Sequence, residues 1–463
     1  MALQNTHYGA DYIRRMLGDC KSIFFIGIGG ISMSSLARIS ALAGYRVGGS
    51  DRVESQTVKD LKAIGIEVFL GHDASHVSSY DAVVYTVAIE ESNPEYLAAR
   101  EAGKLLLSRA DYLGYLMMHF DRRVGISGMH GKSTCTAMCA SVFAAEADPT
   151  VLCGAELAGE GSSCMVGKEK EHFVFEACEY MDSFLDFNPT LAVVLNIGMD
   201  HVDYFHSIEQ IRASFLAFAD RTGETGTVLY NADDAESEMA LAPFRGRKYT
   251  FGLSERADFR AKEIRQDKGK TEFDLYQKEN FLCHVSLPVC GMHVVYNALA
   301  ASGAAILCGL STKAVTKGLA AFGGAKRRME RKGSCNGAEI YDDYAHHPDE
   351  IKATLAGARQ MGYKRILCAY QPHTYSRTVG LFEEFSKAFG DADRVFFADI
   401  YAAREENVWG ISSGDLAERI GERATYCGSF EAVADAIRQE AREGDLVIVM
   451  GAGDIFKVFD MIL

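Results

Sequence analysis

The stretch RRVGISGMHGKST, residues 122–134, decides how the middle of this 463-residue chain folds. Its apolar start predicts a short buried strand, the glycines that follow predict a tight loop, and the residues from Lys132 onward predict a helix. Such a loop suits phosphate, because backbone N–H groups and the helix dipole both face the anion. Lys132 would reach the outer phosphates, and the Ser133 hydroxyl would ligate Mg²⁺.

This loop departs from the longer phosphate-loop pattern at one position, where Ile126 replaces a glycine. The alternative interpretation is a glycine-rich turn that carries a surface lysine. We favour a nucleotide site, since the glycine–lysine–serine run directly follows a predicted strand. The sequence therefore predicts ATP contacts along the whole loop and first helical turn: Gly128, Met129, His130, Gly131, Lys132, Ser133 and Thr134.

Strands alternate with helical patterns on both sides of this loop, which predicts an α/β protein with parallel, doubly wound sheets. We place three domains at residues 1–120, 121–326 and 327–463. Residues 251–288 alternate polar and apolar side chains, which predicts antiparallel strands added to a parallel central sheet.

Composition excludes several classes of protein. Hydrophobic residues make up 48% of the chain and charged residues 24%, as in ordinary globular proteins. The net charge of −15 argues against a nucleic-acid or anionic-membrane partner. No apolar run reaches the ~20 residues of a membrane span, and the N-terminus lacks a secretory apolar core. The 12 cysteines are scattered without zinc spacing, so we expect free thiols in the cytoplasm.

A second glycine loop, GIGGIS at residues 27–32, follows the first predicted strand. It resembles a dinucleotide fingerprint whose acidic residue would be Asp51, at the end of the next strand. Ser32 replaces the third glycine of that pattern, so the loop predicts a pyrophosphate site without implying a nicotinamide. A tight turn that packs a helix on the sheet is the alternative.

Polar residues follow two further strands of the middle segment. Glu176 follows the apolar run FVF, and His201 comes after LAVVLNIG. A carboxylate and an imidazole that face ATP phosphates are suitable ligands for Mg²⁺ or Mn²⁺. A single histidine after a strand is also common as a structural group.

The third segment carries a denser set of polar side chains at its predicted strand ends. The run DDYAHHP occupies residues 342–348, and QPHTYSRT occupies residues 371–378. Open α/β sheets bind ligands at the carboxyl edge of their strands, and Arg377 suits bidentate capture of a carboxylate. A solvated loop cluster is the alternative interpretation.

Taken in order, several motifs resemble the Mur ligase family along essentially the whole chain. They include GIGGISMS, SGMHGKST, FEACEY, DHVDYF, HVVYNALAA, DDYAHHPDEI and YQPHTYSRT. The resemblance implies a Rossmann-like N-terminal domain for a UDP-sugar, a central P-loop ATPase-type domain with a mixed sheet, and a Rossmann-like C-terminal domain for an amino acid. It also implies ATP-dependent ligation of L-alanine to the carboxylate of UDP-N-acetylmuramate through an acyl phosphate, in peptidoglycan precursor synthesis.

Three rival functions stay open from the sequence. A murein-recycling ligase would attach a tripeptide to the same UDP-sugar. An NAD-dependent oxidoreductase would use the first glycine loop, and a non-catalytic scaffold would bind nucleotide without turnover. The sequence leaves both a monomer and a homodimer open.

The resemblance also implies residue roles. The UDP-sugar would be bound by Gly27, Gly29, Gly30, Ser32, Ser34 and Asp51. The adenine, ribose and phosphates of ATP would be bound by the loop at residues 128–134 together with His293, Asn297, Arg328 and Asp343, and the metal by Ser133, Glu176 and His201. The amino acid would be bound by Tyr344, His347, His373 and Arg377, and the catalytic residues would be Lys132, Glu176, His201, His346 and Arg377. Three positions, Met129, Gly198 and Val294, depart from the family pattern.

Overall fold

The computed structural model describes residues 3–159, 162–201, 204–267, 269–324, 326–403 and 405–463. Over those ranges the chain forms three β-sheets, each covered by helices, in the order in which the three predicted segments follow one another. The predicted class, α/β with a mixed central sheet between two mainly parallel sheets, is confirmed.

The N-terminal sheet consists of parallel strands. Its strands are β1 (Ser22–Ile26), β2 (Arg46–Asp51), β3 (Glu67–Leu70), β4 (Ala82–Tyr85) and β5 (Leu105–Ser108), and its helices are α1 (Ala10–Leu17), α2 (Ile31–Leu42), α3 (Gln56–Ala63), α4 (Pro94–Glu101) and α5 (Arg109–Met117). The strand order β3-β2-β1-β4-β5 puts β1 at the centre. The loop after β1 therefore opens at the carboxyl edge of the sheet, where such sheets bind ligands.

The central sheet has ten strands within the described ranges. They are β6 (Arg122–Ser127), β7 (Thr150–Leu157), β8 (Ser162–Met165), β9 (His172–Glu176), β10 (Leu191–Val194), β11 (Thr227–Asn231), β12 (Arg247–Gly252), β13 (Phe259–Asp267), β14 (Lys270–Gln277) and β15 (Asn280–Leu287). Its helices are α6 (Lys132–Ala144), α7 (Ile208–Asp220), α8 (Ala235–Leu241), α9 (Met292–Leu307) and α10 (Thr312–Ala320).

The order of that sheet is β15-β14-β13-β12-β11-β10-β6-β9-β7-β8, so β6 lies between β10 and β9. All three strands are parallel, and each ends at the edge where the loop at residues 128–131 begins. The predicted antiparallel addition is confirmed, because β13, β14 and β15 pair antiparallel.

The C-terminal sheet contains β16 (Glu330–Cys335), β17 (Ala338–Asp343), β18 (Ile366–Tyr370), β19 (Arg394–Ala398), β20 (Ala424–Gly428) and β21 (Leu446–Met450). Its order is β16-β17-β21-β18-β19-β20, and only β16 pairs antiparallel among these described strands. Its helices are α11 (Pro348–Arg359), α12 (Tyr375–Gly380), α13 (Phe382–Ala388), α14 (Ser413–Ile420), α15 (Phe430–Glu440) and α16 (Phe459–Ile462).

The central domain contacts both the N-terminal and the C-terminal domain. Helix α2 packs on β7 and β8, and the Ser35 hydroxyl lies 3.1 Å from that of Ser163. Helix α11 packs on α9. In the part of the chain that is described, every helix is too short or too polar to cross a bilayer.

Candidate active site

The loop between β6 and α6 forms a backbone cradle at the start of a helix. Gly128 and Gly131 have φ angles of 140° and 85°, in the left-handed region that favours glycine. A Cβ on Gly131 would lie 2.7 Å from the Asn297 side-chain oxygen, so a larger residue does not fit there. The first N–H groups of α6 have no partners within the helix and are available to an anion.

Asn196, which follows β10, fixes the shape of this loop. Its side-chain oxygen accepts the His130 N–H at 2.9 Å, and its Nδ2 donates to the His130 carbonyl at 3.0 Å. Its own carbonyl accepts the Met129 N–H at 3.2 Å. These bonds occupy the N–H groups of Met129 and His130, in the first half of the loop.

Lys132 is buried and paired with a glutamate that sequence analysis did not select. Its Nζ lies 3.0 Å from each carboxylate oxygen of Glu179 and donates to the Gly128 carbonyl at 2.5 Å. Burial alone would lower the pKa of Lys132, but Glu179 raises it above its ordinary value. The lysine is therefore a fixed cation at the mouth of the cradle.

His201 joins the same group. Its Nε2 lies 3.2 Å from Glu179 Oε1, and its ring centre lies 4.8 Å from that of Tyr180, with the two rings tilted by 42°. The carboxylate of Glu179 is fully buried, yet its pKa is lowered, because Lys132 and His201 outweigh the effect of burial. A carboxylate shared by a cation and an imidazole can hold a divalent ion beside ATP phosphates.

Glu176 ends β9 and does not contact the group formed by Lys132, Glu179 and His201. Its Oε2 accepts the Gly154 N–H at 2.8 Å, and its charge still raises the pKa of Lys132 and of Arg328. The structure therefore brings Lys132 and His201 into contact with Glu179 and places Glu176 at the end of β9, the strand that pairs with β6.

A cavity of about 510 Å³ extends from the cradle between the central and C-terminal domains. This volume is in the usual range for small-molecule sites. Most of the residues predicted for ATP line it: His130, Gly131, Thr134, His293, Asn297, Arg328 and Asp343.

Two titratable groups in the cavity have shifted pKa values. Burial, assisted by Arg328, lowers the pKa of His293 to about 4, so its imidazole is neutral at pH 7. Burial raises the pKa of Asp343 to about 6, although Arg328 opposes the shift. Asp343 accepts the backbone N–H groups of Ala345 at 2.9 Å and Met329 at 2.8 Å, which fixes the turn after β17.

Glu350, in the first turn of α11, connects the cradle with the C-terminal domain. Its Oε1 lies 3.5 Å from His130 Nδ1 and 3.7 Å from an Arg328 nitrogen, and its Oε2 lies 3.3 Å from His346 Nδ1. Burial lowers the pKa of His346 to about 4, although the charge of Glu350 opposes that shift. His346 is thus a neutral imidazole at physiological pH.

Arg377 crosses from the C-terminal domain to the central one. Its Nη2 donates to Asp200 Oδ1 at 3.1 Å, and both side chains are largely buried. Burial would raise the pKa of Asp200, but Arg377 holds it well below its ordinary value. This pair places Arg377 next to His201.

The remaining residues predicted for the amino acid lie around this pair. The His373 ring is 6.0 Å from that of His346 and 5.3 Å from that of Tyr401, and its Nδ1 has no hydrogen-bond partner among the described residues. His347 caps α11 by accepting the Asp349 N–H at 3.3 Å. Tyr344 lies farther towards the cavity, under the guanidinium of Arg328 at 5.4 Å.

The N-terminal loop forms a second cradle at the carboxyl edge of β1. Gly27 has a φ of 81°, and the Gly29 N–H donates to Asp51 Oδ2 at 2.9 Å. Asp51 therefore fixes the loop itself. The Ser32 hydroxyl accepts a hydrogen bond from Arg109 Nη1 at 3.2 Å, whereas the Ser34 hydroxyl is buried and donates to the Ile31 carbonyl at 2.9 Å.

The three departures from the family pattern leave the site's polar groups in place. Met129 and Val294 are buried in the two central cores, and a Cβ on Gly198 would meet open space. Sequence analysis missed Glu179, Asn196, Asp200 and Glu350. Each of them follows a strand or caps a helix, so its position in the sequence indicates the carboxyl edge of a sheet. The sequence alone does not distinguish a polar residue that caps a helix or fixes a loop from one that serves the site.

Comparisons with known proteins agree with this geometry. Three family models match the chain: "Mur ligase family, catalytic domain" at residues 22–121, "Mur ligase middle domain" at 126–305, and "Mur ligase, glutamate ligase domain" at 327–453. A UDP-N-acetylmuramate–L-alanine ligase from Clostridium novyi is 43% identical over 96% of this chain and 97% of its own length.

Solved structures extend the likeness. The UDP-N-acetylmuramate-alanine ligase of Thermotoga maritima superposes with a TM-score of 0.79 at 26% identity, over 95% of this chain and 97% of that one. A murein peptide ligase from Psychrobacter arcticus shares the fold, with a TM-score of 0.70 at 23% identity over 96% of this chain and 98% of that one.

Proposed function

The chain belongs to the Mur ligase family, and we propose that it joins L-alanine to the carboxylate of UDP-N-acetylmuramate while it converts ATP to ADP and phosphate. The observation that carries the proposal is the meeting of three groups of residues at one place. A lysine-bearing phosphate cradle, a carboxylate–imidazole pair and the C-terminal Arg377 all converge beside one cavity. The relatives named for this reaction match the chain almost end to end.

The reaction needs activation, because a carboxylate and an amine do not condense in water. The carboxylate oxygen attacks the γ-phosphorus of ATP, the bond to the β-phosphate breaks, and an acyl phosphate and ADP form. The alanine amine then attacks the acyl carbon and expels phosphate. Lys132 and the N–H groups of α6 would hold the transferred phosphoryl group, since fixed donors stabilise the charge that develops there.

A divalent ion fits the residues present. Hydroxyl and carboxylate oxygens and an imidazole nitrogen suit Mg²⁺ or Mn²⁺, and the buried carboxylate of Glu179 lies 3.2 Å from the His201 imidazole, so two such donors already meet there. Ser133, Glu176 and His201 would hold the ion, with Glu179 beside them. Bound there, it would neutralise charge between the two anionic reactants.

The C-terminal residues would bind the amino acid. Arg377 suits bidentate recognition of its carboxylate, with Tyr344, His347 and His373 around it. His346 is neutral at pH 7 and would lie close enough to the ammonium group of alanine to assist its deprotonation. The Arg377–Asp200 contact supports closure of this domain over the cradle, which would keep water from the acyl phosphate.

The remaining roles are assigned on the same basis. His293 and Asn297 would contact the adenine, Asp343 the ribose and Arg328 the phosphates, because all four line the cavity beside the cradle. The N-terminal glycine loop would hold the UDP pyrophosphate. The matched family ranges support domains at residues 1–120, 121–326 and 327–463.

The test is phosphate release from ATP and UDP-N-acetylmuramate across a panel of acceptors: L-alanine, L-serine, glycine and the L-alanyl-D-glutamyl-diamino acid tripeptide. We expect the highest kcat/KM with L-alanine. Preference for the tripeptide would assign the chain to the murein-recycling reaction instead. Release of no phosphate with any acceptor, in the presence of Mg²⁺, would contradict the proposal.

Lys132→Met tests the phosphate cradle in that assay, and Lys313→Met is its matched control. Lys132→Met removes the cation at the cradle and should abolish turnover, because the phosphoryl group loses its fixed partner. Lys313→Met changes an exposed lysine on α10 and should leave turnover at the parental level.

A further inference from the structure

Arg109 is a cation without an ionic partner, at the junction of the N-terminal and central domains. It follows β5 at the sheet edge where the N-terminal glycine loop opens, and it begins α5. Its one hydrogen bond within the described ranges runs from Nη1 to the Ser32 hydroxyl, at 3.2 Å. No carboxylate oxygen of the described residues lies within 4.0 Å of its guanidinium.

Leaving such a group unpaired is costly, because an arginine taken out of water normally pairs with an anion. Burial lowers the pKa of Arg109, and the acids near it, Cys178 and Asp186, offset this only in part. Asp186 is itself engaged by His7 at 2.6 Å. The site is thus built for an anion that the chain does not supply.

The surroundings of Arg109 indicate which anion would bind to it. Helix α5 packs tightly on the 3-10 helix Tyr180–Asp186, where a Cβ on Gly114 would lie 2.1 Å from the Asp186 carbonyl. That 3-10 helix begins directly after Glu179, whose carboxylate lies 3.0 Å from the Lys132 nitrogen. Helix α5, which Arg109 begins, therefore packs on the segment that leads from the phosphate cradle.

On the basis of the proposed function, we infer that Arg109 binds the lactyl carboxylate of UDP-N-acetylmuramate and directs it at the terminal phosphate of ATP. The pyrophosphate of the same substrate has its own donors at the start of α2. The carboxylate has to extend from that loop towards Lys132, and Arg109 lies on this path. A guanidinium can hold both carboxylate oxygens, which fixes the direction of attack.

The test compares two UDP-sugars that differ in this group. UDP-N-acetylglucosamine lacks the lactyl ether, so it reports contacts to the nucleotide and sugar alone. Binding of each to the full chain is measured by calorimetry without ATP. We expect the parental protein to bind UDP-N-acetylmuramate about 10-fold or more tightly than UDP-N-acetylglucosamine, as one charge-assisted contact provides.

Arg109→Met should bring that ratio close to one and leave the affinity for UDP-N-acetylglucosamine unchanged, which also verifies that the variant is folded. Arg109→Lys should give an intermediate ratio, because it keeps the charge and loses the planar fork. Arg100→Met, on the exposed face of α4, is the matched control and should behave as the parent.

Two results would overturn the inference alone. An unchanged ratio in Arg109→Met would mean that the guanidinium does not contact the carboxylate. An equal loss of affinity for both sugars would place it on the pyrophosphate. A parental chain that binds neither sugar would contradict the proposed function, and the inference with it.

Discussion

Glu176 and Glu179 lie three residues apart, but Glu179 forms a buried ion pair whereas Glu176 ends a strand. Replacing each by glutamine in turn compares how much the two carboxylates contribute to stability. Glu179 is fully buried, 3.0 Å from the Lys132 nitrogen and 3.2 Å from His201. Glu179→Gln keeps the shape but leaves the buried lysine without its counter-charge. Breaking a buried pair in this way costs about 3 kcal/mol.

The expected readout is the thermal midpoint of the nucleotide-free protein. The middle family range spans residues 126–305, and for a domain of that size about 3 kcal/mol corresponds to about 6–12 °C. Glu176 is partly exposed and accepts one N–H, from Gly154, which glutamine can also accept. Glu176→Gln should therefore cost less than about 1 kcal/mol.

Differential scanning calorimetry of both variants at pH 7.5 and one scan rate gives the comparison. The reasoning fails if Glu176→Gln lowers the midpoint as much as Glu179→Gln does. It also fails if Glu179→Gln has the same thermal midpoint as the parent, since the ion pair with Lys132 would then contribute nothing to stability.

Three further predictions follow from neighbouring contacts. Arg377→Met and Asp200→Asn should show a coupling of about 1–3 kcal/mol in a double-mutant cycle of urea unfolding, and additive effects would mean that their contact is not formed in solution. The folded pKa of Asp343, about 6, lies above the unfolded value of 3.8, so its contribution to stability is greatest below pH 3.8 and is lost as pH rises through 6. Relative to Asp343→Asn, the parent should lose about 2 kcal/mol of unfolding free energy between pH 4 and 7, and parallel pH profiles would refute this. Gly131→Ala should weaken ATP binding about 10-fold or more in a fluorescent-nucleotide titration, because its φ of 85° and the nearby Asn297 exclude a Cβ, and unchanged affinity would show that the loop relaxes.

The sequence by itself determined the α/β class, the two glycine cradles and the edge of each sheet that carries the polar side chains. Buried strands such as β10, β18 and β21 are continuous apolar runs, which sequence patterns identify well. The edge strands β16 and β20 were not predicted, because their half-exposed residues carry no such pattern.

Only the tertiary structure decided which of the polar residues meet. It paired Lys132 with Glu179, where sequence analysis had selected Glu176, and it joined Arg377 to Asp200 across 177 positions of chain. It also left Arg109 without an anion. Local patterns predict where a residue lies on its own strand or helix. Contacts between residues that are distant in sequence depend on how the three sheets pack on one another, and local periodicity does not predict that packing.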